Sequence, residues 1–219
     1  MSAPSRRTVC LSAGSTILGG AVLTFAGSSS PAGAAVKAAP GDMNLGDPKA
    51  PVHVVEYLSL SCSHCAMFHI DVFPAFRAKY VDTGRVYYTV RELLTAPAQV
   101  AAAGFLMARC NGGGRYFTIL DQVFRSQSRW SAGQIKPIFL EIAKANGLTE
   151  AQFEACLVDE KANDALSNRI AYATGVDKVT GTPTFFINGV KLQVAHVPSL
   201  AEMDAAIARA LASRSGGRR

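Results

Sequence analysis

"LSLSCSHCAMFH", residues 58–69, sets two thiols three positions apart, with Ser63 and His64 between them. That spacing serves metal binding, a structural staple, or exchange of electrons through a reversible disulfide. Its surroundings have to choose. Upstream, "VHVVEYLSL" (52–60) is β-branched, aromatic and nearly continuous in apolar residues, as a strand covered on both faces should be. Downstream, Cys65, His69, Val72, Phe73, Phe76 and Tyr80 recur at helical spacing, which predicts a helix from about Cys62 to Tyr80 with these residues on its inner face. Pro74 should kink that helix, because it cannot donate to the carbonyl of Ile70. "DTG" (82–84) closes it with a turn. A helix that starts at Cys62 puts Cys62 and Cys65 one turn apart on one side, within reach of a disulfide that forms and breaks with little backbone movement. Cys62 then lies where the first N–H groups are unsatisfied and the helix dipole is positive, so its thiolate is favoured. A protonated His64 would add to the effect. A lowered thiol pKa stabilises the reduced pair and makes the disulfide a stronger oxidant. Cys62, at the exposed lip, is expected to attack or be attacked, and Cys65, a turn deeper, to resolve the mixed disulfide.

Farther along the chain, "RVYYTV" (85–90) reads as a second strand, and residues 96–175 carry a series of helix-periodic segments separated by Gly, Asn and Ser. "TPTFFINGVKLQV" (182–194) reads as a hairpin whose Asn188-Gly189 pair suits a type I′ turn, and "PSLAEMDAAIARALAS" (198–213) as a closing amphipathic helix. With the helical block set aside, residues 51–95 form a strand–helix–strand crossover and residues 176–213 a hairpin and helix. The expected class is α/β: a small mixed sheet with helices packed on it, interrupted by an all-helical insertion. By strict alternation Glu56 shares a strand face with Val52, Val54 and Leu58, so a buried carboxylate there could accept or relay the proton of Cys65. A carboxylate that reaches solvent at the strand end is the alternative. Thr182-Pro183 comes just before a strand, and a cis bond there would leave the Thr182 backbone free to pair with an extended chain beside the thiols. An ordinary turn is the alternative.

Residues 1–34 read as an export signal: Arg6 and Arg7 precede an uncharged, apolar or small stretch from Val9 to Phe25, and Ala32-Gly33-Ala34 offers the small residues that an export peptidase reads. "SRRTVCL" resembles a twin-arginine signal, although Val9 is less bulky than such signals prefer. An uncleaved anchor is the alternative, but the segment is short and interrupted by glycines. Removing 34 of 219 residues leaves 185, enough for one substantial core and a subdomain, and loss of the two arginines takes the net charge from +6 to +4. Residues 35–50 form a lead-in and 214–219 a basic tail. The arginines at 209, 214, 218 and 219 read as solvated, with nothing to suggest a nucleic-acid surface. Cys10 leaves with the signal, and Cys62, Cys65, Cys110 and Cys156 remain in an oxidising compartment. Cys62, Cys65, His64, His69 and Met67 could in principle hold copper or zinc. A zinc site wants a second ligand pair, however, and Cys110 and Cys156 are isolated singles. A purely structural bridge across so short a loop would contribute little chain entropy. Redox exchange, which needs no cofactor, is the reading the residues favour.

The run "GDPKAPVHVVEYLSLSCSHCAMFHIDVFPAFRAKYVDTGRV", the helical block with its two cysteines, and "GTPTFFING" together resemble the DsbA-like branch of thioredoxin-fold thiol:disulfide oxidoreductases, from about Gly46 to the closing helix. The resemblance implies a thioredoxin-like fold with an inserted all-helical subdomain, acting on folding exported proteins in the periplasm or cell envelope. It also implies reoxidation by a membrane-bound partner of DsbB type. It assigns Cys62 as nucleophile, Cys65 as resolving cysteine, Ser63 and His64 as the tuning dipeptide, Thr182 and Pro183 as the substrate-contacting cis-proline pair, and Glu56 as the buried acid. Ser63 stands where the family's prototype has proline, and Thr182 where it has valine, which looks more like the isomerase-type relatives. Those relatives carry an N-terminal dimerisation domain that residues 35–50 are too few to build, so a monomer is expected. The resemblance further suggests a structural disulfide between Cys110 and Cys156, with free buried thiols as the alternative.

Overall fold

Val52, Val54, Glu56 and Leu58 face one side of strand β2 (Val52–Leu58) and Val55 and Tyr57 the other, and all six are buried. Both faces of this strand are therefore covered, as its unbroken apolar character demands. The computed structural model describes residues 37–132 and 134–216. The export-signal stretch, Cys10, Arg218 and Arg219 lie outside the described residues.

β2 is the middle strand of a five-stranded mixed sheet in the order β1 (Met43–Leu45), β3 (Val86–Glu92), β2, β4 (Thr184–Ile187), β5 (Val190–Lys191). β2 and β3 run parallel, joined by the helical crossover, and every other pairing is antiparallel. β3 continues to Glu92, two residues past its expected end. The Asn188 and Gly189 φ angles of 47° and 81° are both positive, as the hairpin between β4 and β5 requires. β1 falls in the stretch that read as a featureless lead-in. Three residues between turn signals give no usable periodicity, so its pairing with β3 shows only in three dimensions. Gly46, at φ +88°, ends it where a Cβ would meet the Val86 carbonyl at 2.7 Å.

The crossover helix is broken. α1 (Ser63–Met67) and α2 (Phe73–Phe76) are separated by a π-helical turn (Phe68–Val72) in which the Phe73 amide donates to the Phe68 carbonyl, and a second π turn (Arg77–Val81) follows. Pro74 lies in the first turn of α2, and the wider turn before it accommodates the bond that proline cannot make. The insertion comprises α3 (Ala98–Arg109), α4 (Tyr116–Ser126), α5 (Ile135–Ala145), α6 (Glu150–Val158) and α7 (Glu160–Gly175). Buried residues of α3, α4 and α5 join the core formed by α1, α2 and the Val54 face of the sheet. Ala173 of α7 packs with Val55, Tyr57, Leu93 and Val179 on the other face. α8 (Leu200–Gly216) lies beside α2 and the π turn that follows it, where Tyr80 donates to Asp204 at 2.7 Å. It runs beyond its expected end at Ser213. Arg214 is also not part of a free tail, since it donates to the Pro51 carbonyl at 2.7 Å. No helix among the described residues is long and apolar enough to cross a membrane.

Candidate active site

Cys62 is the N-cap of α1, with φ −82° and ψ 120°, so its side chain folds back over the helix start. Its sulfur accepts from the Cys65 amide at 3.4 Å, and its thiol donates to the Thr182 carbonyl at 3.4 Å. The Thr182-Pro183 peptide is cis and delivers that carbonyl to the sulfur. Ala96-Pro97 is cis as well, a bond the sequence did not single out.

The two thiols sit in opposite electrostatic situations. Cys62 is half-buried, and its pKa falls to about 5. The chief cause is the Cys65 thiol donating to its thiolate; burial works against this, and the Thr182 hydroxyl and the Cys65 and His64 amides work with it. Thr182 Oγ1 is buried without a hydrogen-bond partner among the described residues, which leaves it free to turn toward a thiolate. Cys65 is fully buried, and burial pushes its thiol well above the usual range, with further contributions from its bond to Cys62 and the charge of Glu56. Ser63 and His64 are exposed. His64 acts on the sulfur through its backbone amide, so the expected help from a protonated ring is not needed to account for the shift.

Glu56 is buried rather than at a solvated strand end. Its Oε2 accepts from Tyr88 at 2.5 Å and pairs with His69 Nε2 at 2.8 Å, while Oε1 has no partner among the described residues. His69 also stacks on Phe124 of α4, ring centroids 4.8 Å apart. His69 is thus a satisfied core residue engaged with Glu56, while His64 and Met67 are exposed, and among the described residues no cluster of three His, Cys, Asp or Glu side chains is placed to hold a metal ion. Cys62, Cys65, Thr182 and Pro183 come together at one end of the sheet, with Glu56 near enough for its charge to act on Cys65. Cys110 and Cys156 form a disulfide elsewhere, Cα atoms 5.9 Å apart, joining the 3-10 turn after α3 (Cys110–Gly113) to α6. One participant escaped sequence reasoning: Gln127, just past α4, donates its side-chain amide to the Leu60 and Cys62 carbonyls. A glutamine at a helix end carries no signal of such a role.

A family profile described as thioredoxin matches residues 38–209. The chain belongs to that family. Within it, the chain is 33% identical over 169 residues to a protein of Rickettsia bellii that bears the provisional name protein-disulfide oxidoreductase. That match covers 76% of this chain and 64% of the relative, so the chain spans just under two thirds of the relative's length. The crystal structure of Wolbachia pipientis alpha-DsbA1 superposes on this thioredoxin-family chain with a TM-score of 0.72 at 29% identity, covering 83% of this chain and 96% of that one. Oxidised BdbD of Bacillus subtilis gives 0.66 at 20% identity over 77% and 92% of the two chains, which speaks to the fold alone. The fold is thioredoxin-like, with the helical insertion of the DsbA structures.

Proposed function

We propose that this chain is an exported thiol:disulfide oxidoreductase that transfers the Cys62–Cys65 disulfide to folding proteins and is then reoxidised by a membrane-bound partner of DsbB type. The observation that carries the reading is the contrast between the sulfurs. Cys62 is stabilised as a thiolate near pKa 5, and Cys65 is held protonated by burial. In the forward step a substrate thiolate attacks Cys62 Sγ. The Cys62–Cys65 bond breaks, and Cys65 leaves and takes up a proton. A second substrate thiolate then attacks the substrate sulfur of the mixed disulfide and expels Cys62 as a stable thiolate. Two electrons pass from the substrate dithiol to the pair, and no cofactor enters. Thr182, beside Cys62 behind a cis bond, is the backbone against which an extended substrate segment would pair. Glu56 would take or return the proton of Cys65.

Because a low pKa favours the reduced pair, the couple should be oxidising. Equilibrated with glutathione poised at about −200 mV, the pair is expected to be mostly reduced. Alkylation of the quenched mixture followed by mass spectrometry measures the fraction. A pair that stays oxidised there would assign the chain the opposite, reducing or isomerising direction.

A further inference from the structure

The turn from β2 into α1 is held from two sides. From within the sheet domain, the Cys62 amide donates to the Ser59 carbonyl at 3.1 Å, and the Ser61 hydroxyl donates to the Thr95 carbonyl at 2.8 Å. From the insertion, one side chain among the described residues hydrogen-bonds to the turn. Gln127 Nε2 donates to the Leu60 carbonyl at 2.9 Å and to the Cys62 carbonyl at 3.2 Å, bracketing Ser61. Leu60 is fully buried, and among the described residues no other donor reaches its carbonyl. The Cys62 carbonyl also accepts the Ala66 amide at 3.1 Å, the first bond of α1, so Gln127 grips the residue whose conformation sets the helix start.

We infer that Gln127 is a positioning residue of the dithiol site: its amide clamps the backbone on both sides of Ser61, keeping Cys62 in its N-cap conformation with the sulfur on the Cys65 amide. The inference rests on the exchange function proposed above and ties the helical insertion to the chemistry it flanks. Without the amide, the buried Leu60 carbonyl loses its donor, a cost the turn relieves only by moving. Movement of the turn draws the sulfur off the helix amides that stabilise its thiolate. A less stable thiolate means a less stable reduced pair, so the equilibrium shifts toward the disulfide.

The test uses the full mature chain with Gln127→Leu and Gln127→Met, which remove both donors at similar size. The unbranched methionine adapts more easily and carries the test if the leucine variant does not fold. Thiolate absorbance at 240 nm against pH should show the Cys62 pKa raised by about half to one unit. The equilibrium with glutathione should move about three- to tenfold toward the disulfide. A variant that melts earlier but keeps both the thiol titration and the glutathione equilibrium of the parent would overturn the inference and leave Gln127 as interface packing. Failure of the parent itself to exchange with glutathione would instead remove the function on which the inference stands.

Discussion

At Cys62 two effects of opposite sign meet. Burial favours the neutral thiol, whereas hydrogen bonds from Cys65, Thr182 and the first amides of α1 favour the thiolate, and the hydrogen bonds win by a wide margin. At Cys65 the balance is reversed, because a fully buried sulfur beside the Glu56 charge has little that stabilises its anion. Iodoacetamide should therefore alkylate Cys62 of the reduced protein with a half-maximal rate near pH 5, level above about pH 7, while Cys65 stays unmodified. Peptide mapping after timed alkylation reads both, and a half-point near pH 8–9 at Cys62, the range of an ordinary thiol, would contradict the site as described. Most of these residues were legible in the sequence. The thiols, Thr182-Pro183 and Glu56 each sit at a fixed offset from a recognisable strand or helix, so local pattern places them. The partners of Glu56 were not legible. His69 comes from the crossover helix and Tyr88 from the next strand, and no local period links them.

At the level of elements, local periodicity found every long helix and the two core strands and failed where long-range contacts decide. β1 is too short to read, and its docking depends on a charged cluster around the end of β3. Arg91 donates to Asp42, Asp177 and the Lys37 carbonyl, holding the segment that leads into β1. Next to it Glu92, fully buried, accepts from Arg109 of α3, Arg169 of α7 and Tyr116 of α4. One carboxylate thus ties three helices of the insertion to the sheet. The expected strand stops at Val90, so Arg91 and Glu92 fall outside the pattern and local periodicity has nothing to mark this joint. Removing one partner of a buried ionic group strands the others, so Glu92→Ala should cost about 3–5 kcal/mol. Guanidinium unfolding of the oxidised protein measures it. A loss under about 1 kcal/mol would show the arginines to be satisfied by water and the joint to be incidental.

For the molecule as a whole, the Cys62 thiolate couples acidity, redox state and stability through one cycle. Only the reduced protein has this thiol, so the difference in stability between reduced and oxidised forms isolates it from every other titrating group. In the unfolded chain the thiol titrates at about 8.5, and in the folded chain at about 5. A depressed folded value contributes stability that is fully present above the unfolded pKa and is lost as the pH falls through the folded one. Cys65, shifted the other way, acts only above the unfolded value, outside this window. The stability of the reduced form relative to the oxidised form should therefore rise with pH by about 1 kcal/mol per unit between roughly pH 5 and pH 8. Urea unfolding of both forms at four pH values across that window tests the slope. Since the free energy that stabilises the folded dithiol is what makes the folded disulfide the stronger oxidant, a flat difference would remove the physical basis for an oxidising couple. The direction of electron flow would then have to come from the recycling partner instead.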